Sequence, residues 1–348
     1  MSAPGKLLSP DSVQETNDQF YRMGLTDGLP IIPPTPDLVD AMIAPSGRDA
    51  QEVIGIVPPS SGVATVEKIA TNAVMAGCLP EHLPVVIAAV EACIEESFNL
   101  YGIQNTTHPT TPLLMVHGPI ARALEVNSGS SCLGYGARAN AVIGRALRLI
   151  LINIGGGERR ATHGQPGNYS FCFAESEDKS PWAPFHADRG YDRNASAVSA
   201  FGAGGTMNLR PFPQRGRDVL ASIARMIALG GSPRSHGYAL IILNPEHARV
   251  IAEDGFSKES ARDYLFEHSK VRPKGYMDEV AQTWMEERGL EHMDVRKIIG
   301  EIKPDTWVPS ADAPENIHIV VAGGSGGHSV FIPLCFTQPT PVVTKLVR

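Results

Sequence analysis

The alternating aromatic segment 169–175 places a thiol, Cys172, three residues before a carboxylate, Glu175. Side chains alternate faces along a strand, so Cys172 points away from the two phenylalanines beside it. A neighbouring carboxylate raises a thiol pKa, so a histidine must take the proton, and His163 and His186 flank the segment. We therefore expect Cys172 to act as nucleophile, with one of these histidines as base and Glu175 as acid or orienting group. The alternative is an inert cysteine buried in a sheet.

A glycine- and serine-rich loop, residues 127–136, leads directly into a helical pattern. Backbone N–H groups and the helix dipole at such a junction favour a bound anion. Cys132 lies in this loop, where a helix N-terminus lowers a thiol pKa, so it is a second candidate nucleophile. An ordinary connecting loop is the alternative. The residues that we expect to bind an anionic group of the substrate are Asn127, Gly129, Arg138 and Arg145.

Two further segments place a histidine beside a predicted strand. The loop 323–328 contains four glycines, and glycine lets a backbone approach a ligand closely. We expect Gly324 to contact substrate and His328 to act as a base or ligand, with a plain turn as the alternative. His108 precedes another strand and is a further base and substrate contact, although a capping role fits it equally well.

Charge and composition exclude several classes of protein. The chain has 348 residues, a net charge of −7 and no long basic run, so we expect no nucleic-acid binding. No apolar run reaches the roughly 18 residues of a membrane span, and the first ten residues lack the apolar core of a signal peptide. We therefore expect a cytoplasmic protein that does not enter membranes. The five cysteines are far apart and odd in number, which favours reduced thiols.

The elements that must position these residues are short apolar strands interleaved with buried helices. This pattern predicts an α/β fold, with a mixed sheet and helices apolar on nearly every side. The predicted strands are Thr110–Val116, Tyr169–Ala174, Ser196–Ala200, Tyr238–Leu243 and Ile317–Val321. The predicted buried helices are Leu83–Glu96, Ala137–Leu151 and Arg217–Leu229.

A weak internal repeat divides the chain. The segment that begins at Leu113 resembles the one that begins at Leu240: each has a buried strand, a proline turn and a helix with an Ala-Arg step. We interpret this as two related α/β halves, residues 1–155 and 156–348, the second with a helical insert at about 272–313. Ligand sites are favoured at the junction of such halves.

Several segments together resemble a poorly characterised bacterial family associated with small UGSC-motif thiol or selenol proteins. The resemblance covers most of the chain and is carried by residues 26–35, 72–86, 138–145, 161–186 and 320–331. It implies a small thiol protein as a partner, although no UGSC motif occurs here. Where similar proteins have a His-Asn pair after Asn127-x-Gly129, this chain has Ser130, Ser131 and Cys132.

These residues predict a thiol-dependent enzyme that cleaves a carbon–heteroatom bond in a small anionic organic molecule, as a hydrolase or lyase. We expect no resident cofactor, because the chain has no dinucleotide fingerprint and no CxxC, HxH or HExxH motif. Two alternatives stay open. One is a metal-dependent hydrolase or lyase with Cys, His and Glu ligands, which requires a transition metal. The other is a protein that delivers substrate to the thiol partner.

Two structural expectations complete the sequence-based picture. The all-apolar helix Leu83–Ile94 is a candidate dimer interface, so we expect a homo-oligomer. The mechanism also requires three loops, residues 127–136, 163–186 and 323–328, to converge on one pocket.

Overall fold

The computed structural model describes residues 12–157, 160–211, 215–230, 238–270, 307, 311, 313–334 and 341–348. Its helices are α1 Val13–Arg22, α2 Pro36–Ile43, α3 Val66–Ala76, α4 Leu83–Cys93, α5 Leu100–Asn105, α6 Pro119–Ala123, α7 Arg138–Asn153, α8 Phe185–Asp188, α9 Gly216–Gly230, α10 Pro245–Glu253 and α11 Lys258–His268. Its strands are β1 Val53–Val57, β2 Gly62–Thr65, β3 Thr111–His117, β4 Cys172–Ala174, β5 Ala197–Ala203, β6 Met207–Leu209, β7 Ala239–Leu243, β8 Ile317–Val321, β9 Ser329–Pro333 and β10 Val343–Leu346.

Two four-stranded mixed sheets form the centre of the molecule, and the hairpin β1–β2 stands apart from them. The first sheet has the order β10-β5-β3-β4 and the second has the order β6-β9-β7-β8. In each sheet one pair is parallel, β3 with β4 and β7 with β8. The predicted α/β class with mixed sheets and buried helices is confirmed.

The sheets lie face to face, and helices cover their outer faces. Along β3, Leu113 and Met115 belong to the apolar cluster shared by the two sheets, together with Ile242 of β7. The alternate residues Leu114 and Val116 belong to the cluster shared with α3, α4 and α7. The outer face of the second sheet packs on α9, α10 and α11. A strand covered on both faces is buried throughout, as all seven residues of β3 are.

The two sheets have the same strand pairing around one central strand each. β3 and β7 each have a parallel neighbour on one side and an antiparallel neighbour on the other. The two sheets also exchange a strand: β6 follows β5 but pairs with β9, and β10 follows β9 but pairs with β5. The strands of the first sheet therefore extend well past residue 155, the boundary expected from sequence. The helical insert expected at 272–313 lies almost entirely outside the described residues.

Helix α4 is buried within its own chain. Nine of its eleven residues are buried, and they belong to the cluster formed by α3, α7 and the first sheet. The apolar surface that we interpreted as a candidate dimer interface is therefore covered without a second copy. Within the described segments, no helix combines the length and the apolar character needed to cross a membrane.

Candidate functional site

The parallel strands β3 and β4 end at the same edge of the first sheet. β3 ends at His117, and β4 is followed by Glu175, Ser176 and Glu177. Ligand sites in α/β proteins are commonly found beyond the carboxyl ends of parallel strands. This edge therefore gathers one histidine and two carboxylates from segments about 60 residues apart in sequence.

Parts of all three predicted loops meet at this edge. The Ser176 hydroxyl donates a hydrogen bond to the Ser128 carbonyl over 2.8 Å, and Gly323 N–H donates to the same carbonyl over 2.8 Å. Ser176 N–H donates to the carbonyl of Val321 over 2.7 Å. A Cβ atom at Gly324 would lie 2.2 Å from the Ser130 hydroxyl, so only glycine permits this approach. The loops 127–136 and 323–328 thus pack against the segment that follows β4.

His163 and His108 are at the opposite end of β3, where both line a cavity of about 830 Å³. A seven-residue strand spans roughly 20 Å, so these histidines cannot act at the carboxyl edge. The expected convergence therefore holds for His186 but not for His163 or His108. The reason is topological: residues before β4 lie at the amino edge, and residues after it lie at the carboxyl edge.

Three side chains at the carboxyl edge form a candidate metal site. One ligand atom each from His117, Glu177 and His186 lies within 4.8 Å of the other two. The ring centroids of His117 and His186 are 5.1 Å apart. Nδ1 of His186 is 3.9 Å from Oε1 of Glu177. Both histidines are fully buried, whereas the Glu177 side chain keeps 15% of its exposure.

The hydrogen bonds of His186 decide which ring nitrogen faces Glu177. Nε2 lies 3.1 Å from the Arg193 carbonyl, which can only accept, so Nε2 carries the proton. In the neutral ring Nδ1 then has a free lone pair, and Nδ1 is buried without a hydrogen-bond partner. A backbone carbonyl that orients a ligating imidazole in this way is typical of metal centres.

His117 is held by a chain of hydroxyl groups. Its Nε2 is 2.8 Å from the Ser199 hydroxyl, which is 2.8 Å from the hydroxyl of Thr344 on the exchanged strand β10. Its Nδ1 is also buried and without a partner. Burial, reinforced by nearby positive charge, lowers the His117 pKa well below its ordinary value, so the ring is neutral. His117 thus supplies one ligand atom to the group with Glu177 and His186, and it has a ring nitrogen without a hydrogen-bond partner.

Glu177 completes the donor set. Its Oε1 accepts a hydrogen bond from Gly118 N–H over 2.8 Å, and its Oε2 is 3.5 Å from the exposed Arg122 guanidinium. Two imidazoles and a carboxylate are ligands that suit zinc and related divalent transition ions. The chemistry of this group fits such an ion, although sequence analysis assigned no metal ligands.

Glu175 is the other ionisable group of this edge that sequence analysis selected. Its Oε2 accepts a hydrogen bond from Phe185 N–H over 2.7 Å, and its Oε1 is buried without a partner. Burial raises the pKa of Glu175 to about 7, against the opposing charge of Lys258. Because Phe185 directly precedes His186, Glu175 also fixes the segment that carries a candidate ligand.

The two predicted nucleophiles lack the electrostatics of reactive thiols. Cys172 points into the apolar cluster beneath α7. It lies so close to Gly144 that a Cβ atom added to that glycine would be 3.3 Å from the Cβ of Cys172. Burial raises the Cys172 pKa far above the ordinary value of a thiol. Burial also raises the Cys132 pKa to about 11, although backbone N–H groups of the loop oppose it. Neither side chain is prepared as a thiolate.

The predicted substrate contacts are mostly occupied by protein groups. Oδ1 of Asn127 accepts a hydrogen bond from Gly129 N–H over 2.8 Å. Arg145 pairs with both carboxylate oxygens of Asp27, at 2.8 and 2.9 Å. His328, which is exposed, has Nδ1 2.9 Å from the Asn208 side-chain oxygen.

Arg138 is exposed at the start of α7, and its charge acts on Cys78 and His82. It therefore faces the region around α3 and the segment after it. Neither of these two charge interactions involves Glu175 or Glu177.

Comparison with known proteins adds no relative. No family model, curated protein or solved structure matches this chain. The residues and their geometry are thus the whole basis for a functional assignment.

Sequence analysis missed His117 and Glu177, which are central to the candidate site. One signal was available: His117 is the last residue of a buried apolar strand and directly precedes Gly118 and Pro119. A polar residue at the carboxyl end of a buried strand is a frequent position for ligands. Glu177 lies two residues beyond Glu175 and carried no local signal of its own.

Proposed function

We propose that this protein is a metal-dependent hydrolase or lyase whose ion is held by His117, Glu177 and His186. The observation that supports this most directly is the group of ligand atoms of His117, Glu177 and His186 within 4.8 Å of one another, in which the Nδ1 atoms of both histidines are buried without a hydrogen-bond partner. Leaving two such nitrogens unsatisfied in an apolar interior costs free energy. A divalent ion satisfies both lone pairs and neutralises Glu177.

Three protein ligands leave one coordination position for water or for a substrate oxygen, which is typical of catalytic zinc centres. An ion bound there supplies the electrophile that polarises this oxygen. The second carboxylate, Glu175, is fixed at the same edge through Phe185 and has a free oxygen, Oε1. We assign it the proton transfer.

The hydrolytic step balances with these groups. The water oxygen bonds to the electrophilic carbon, and Glu175 takes one proton from that water. The carbon–heteroatom bond breaks with its electron pair on the heteroatom, which receives the proton from Glu175. Partial exposure of Glu177 beside Arg122 gives this edge access to solvent.

Metal content tests the proposal. We expect about one equivalent of a transition metal in protein purified without chelator, and its loss in His117→Asn and His186→Asn. His318→Asn is the matched control. His318 is also buried with an unpartnered Nε2, but the charges that lower its pKa are those of arginines, and no carboxylate is among them. If wild-type protein loaded with zinc, nickel or manganese retains no ion, or if the His318 variant loses it equally, the proposal fails.

A further inference from the structure

The cavity at the amino edge of the first sheet is separate from the candidate metal site. It has a volume of about 830 Å³ and contacts the region before β3, the side of α7 and the loop before β4. Cavities of this size enclose small organic ligands. Because it lies at the other end of β3, roughly 20 Å from His117, its role is independent of the proposed metal chemistry.

Arg148 is the charged group that α7 presents to this cavity. Its Nε donates a hydrogen bond to the Asn168 carbonyl over 2.7 Å, and its Nη2 donates to the Thr111 hydroxyl over 2.6 Å. These bonds use two of the five N–H groups of a guanidinium. The two bonds hold the guanidinium in place, and its remaining N–H groups are left to bind a ligand.

The carboxylate whose charge acts on Arg148 is that of Asp27, which raises the Arg148 pKa against the effect of burial. Among the described residues, no Asp or Glu oxygen forms an ion pair with it. The acidic residue that lines the cavity, Asp27, already receives two hydrogen bonds from Arg145. Burial lowers the pKa of Arg148, which reports the desolvation of this charge.

The other polar groups around the cavity add positive or neutral character. Arg160, His108 and His163 line it, and burial lowers the His108 pKa, so that ring is neutral near pH 7. A half-buried, desolvated guanidinium with free donors is the partner that a carboxylate binds most strongly, through two parallel hydrogen bonds.

We propose that this cavity is a binding site for a small organic carboxylate, with Arg148 as the residue that binds the carboxylate group. Thr111 and the Asn168 carbonyl act as positioning groups that hold the guanidinium, and Arg160 also lines the cavity. Among the described residues that line the cavity, the acidic one is Asp27, which is already paired with Arg145, so this part of the lining favours an acid over an amine.

Calorimetric titration with defined probes tests the proposal. The probes are benzoate and succinate as carboxylates, benzamide as an uncharged analogue of benzoate, and inorganic phosphate as a different anion. The variants are Arg148→Met, Arg160→Met, and Arg249→Met as a control, since Arg249 pairs with Glu253 on an exposed helix face far along the chain. Circular dichroism confirms that each variant is folded.

We expect at least one carboxylate to bind wild-type protein and benzamide not to bind. Loss of charge-assisted hydrogen bonds weakens binding at least about tenfold in Arg148→Met. The Arg160 side chain is exposed, so Arg160→Met tests the same site without disturbing core packing. It should weaken carboxylate binding severalfold. The control should bind as the wild type does. The proposal is overturned if no carboxylate binds, if phosphate alone binds, if benzamide binds as well as benzoate, or if both test variants retain wild-type affinity.

Discussion

Nδ1 of His186 lies 3.9 Å from Oε1 of Glu177, while Nε2 of the same ring is committed to the Arg193 carbonyl. The Arg193 carbonyl therefore orients the ring so that Nδ1 is the nitrogen on the side of the Glu177 carboxylate. In the proposed site, a divalent cation lies between the two groups and binds both. The predictions below follow from this geometry and from the burial of the groups around it.

Glu177→Gln should abolish tight metal binding while keeping the fold. The glutamine carbonyl can still accept the Gly118 N–H bond, but the charge that a divalent ion needs is lost. Since changes of residues that only support a ligand cost about 10–100-fold in affinity, loss of a ligand charge should cost at least about 100-fold. Competition with a chromophoric chelator measures this. Exposed Glu253→Gln is the control, and equal affinities in Glu177→Gln and wild type would contradict the ligand assignment.

Thr344→Val should weaken metal binding about tenfold, because the Thr344 hydroxyl supports Ser199, which in turn orients His117. Thr344→Ser keeps the hydroxyl and should restore affinity. The same chelator competition reports both variants. A valine variant with normal affinity, or a serine variant as weak as valine, would show that β10 does not orient the site.

The described cysteines should be unreactive in the folded protein. Burial raises the pKa of Cys132 to about 11 and that of Cys78 to about 12, and raises those of Cys93 and Cys172 further. We expect Cys335→Ser protein to show no fast reaction with a disulfide reagent at neutral pH, and four reactive thiols after unfolding. One thiol that reacts rapidly in the native state would restore the thiol-dependent hypothesis.

His318 should make the protein acid-sensitive. Burial, helped by Arg189 and Arg262, lowers its pKa from 6.5 to about 3. Below about pH 6.5 the unfolded chain therefore binds a proton at this histidine and the folded chain does not. The free energy of unfolding consequently decreases as the pH falls from 6.5 toward 3. Between pH 6.5 and 5 the free energy of unfolding should fall by about 1–2 kcal/mol through this residue.

Urea denaturation of wild type and His318→Phe at several pH values measures this effect. The phenylalanine keeps the aromatic contacts with Phe185 and Tyr238 and should reduce the pH dependence, of which buried His117 keeps a part. Exposed His268→Phe is the control. An equal slope in wild type and His318→Phe would contradict the neutral state of the buried ring.

Long buried strands could be predicted from sequence, because apolar runs bounded by proline and glycine are strong local signals. The strand around Leu113 and its counterpart around Leu240 both occur as expected. The exchange of β6 and β10 could not be predicted, since strands of three and four residues carry almost no periodic pattern. Packing between the sheets determines which strands β6 and β10 pair with.

The failure at Cys172 has a specific cause. Alternation along the strand correctly predicted that Cys172 faces away from Phe171 and Phe173, which lie in a different apolar cluster. In a strand covered on both faces, however, neither direction leads to solvent. Alternation therefore identifies opposite faces but cannot identify a site.

The most direct test is metal-edge anomalous diffraction from crystals of the metal-loaded protein. The proposed site predicts one strong anomalous peak. The metal ion at this peak should lie about 2.0–2.2 Å from Nδ1 of His117, from Nδ1 of His186 and from a carboxylate oxygen of Glu177. A loaded crystal whose anomalous peak lies elsewhere, with both Nδ1 atoms free of any ion, would contradict it.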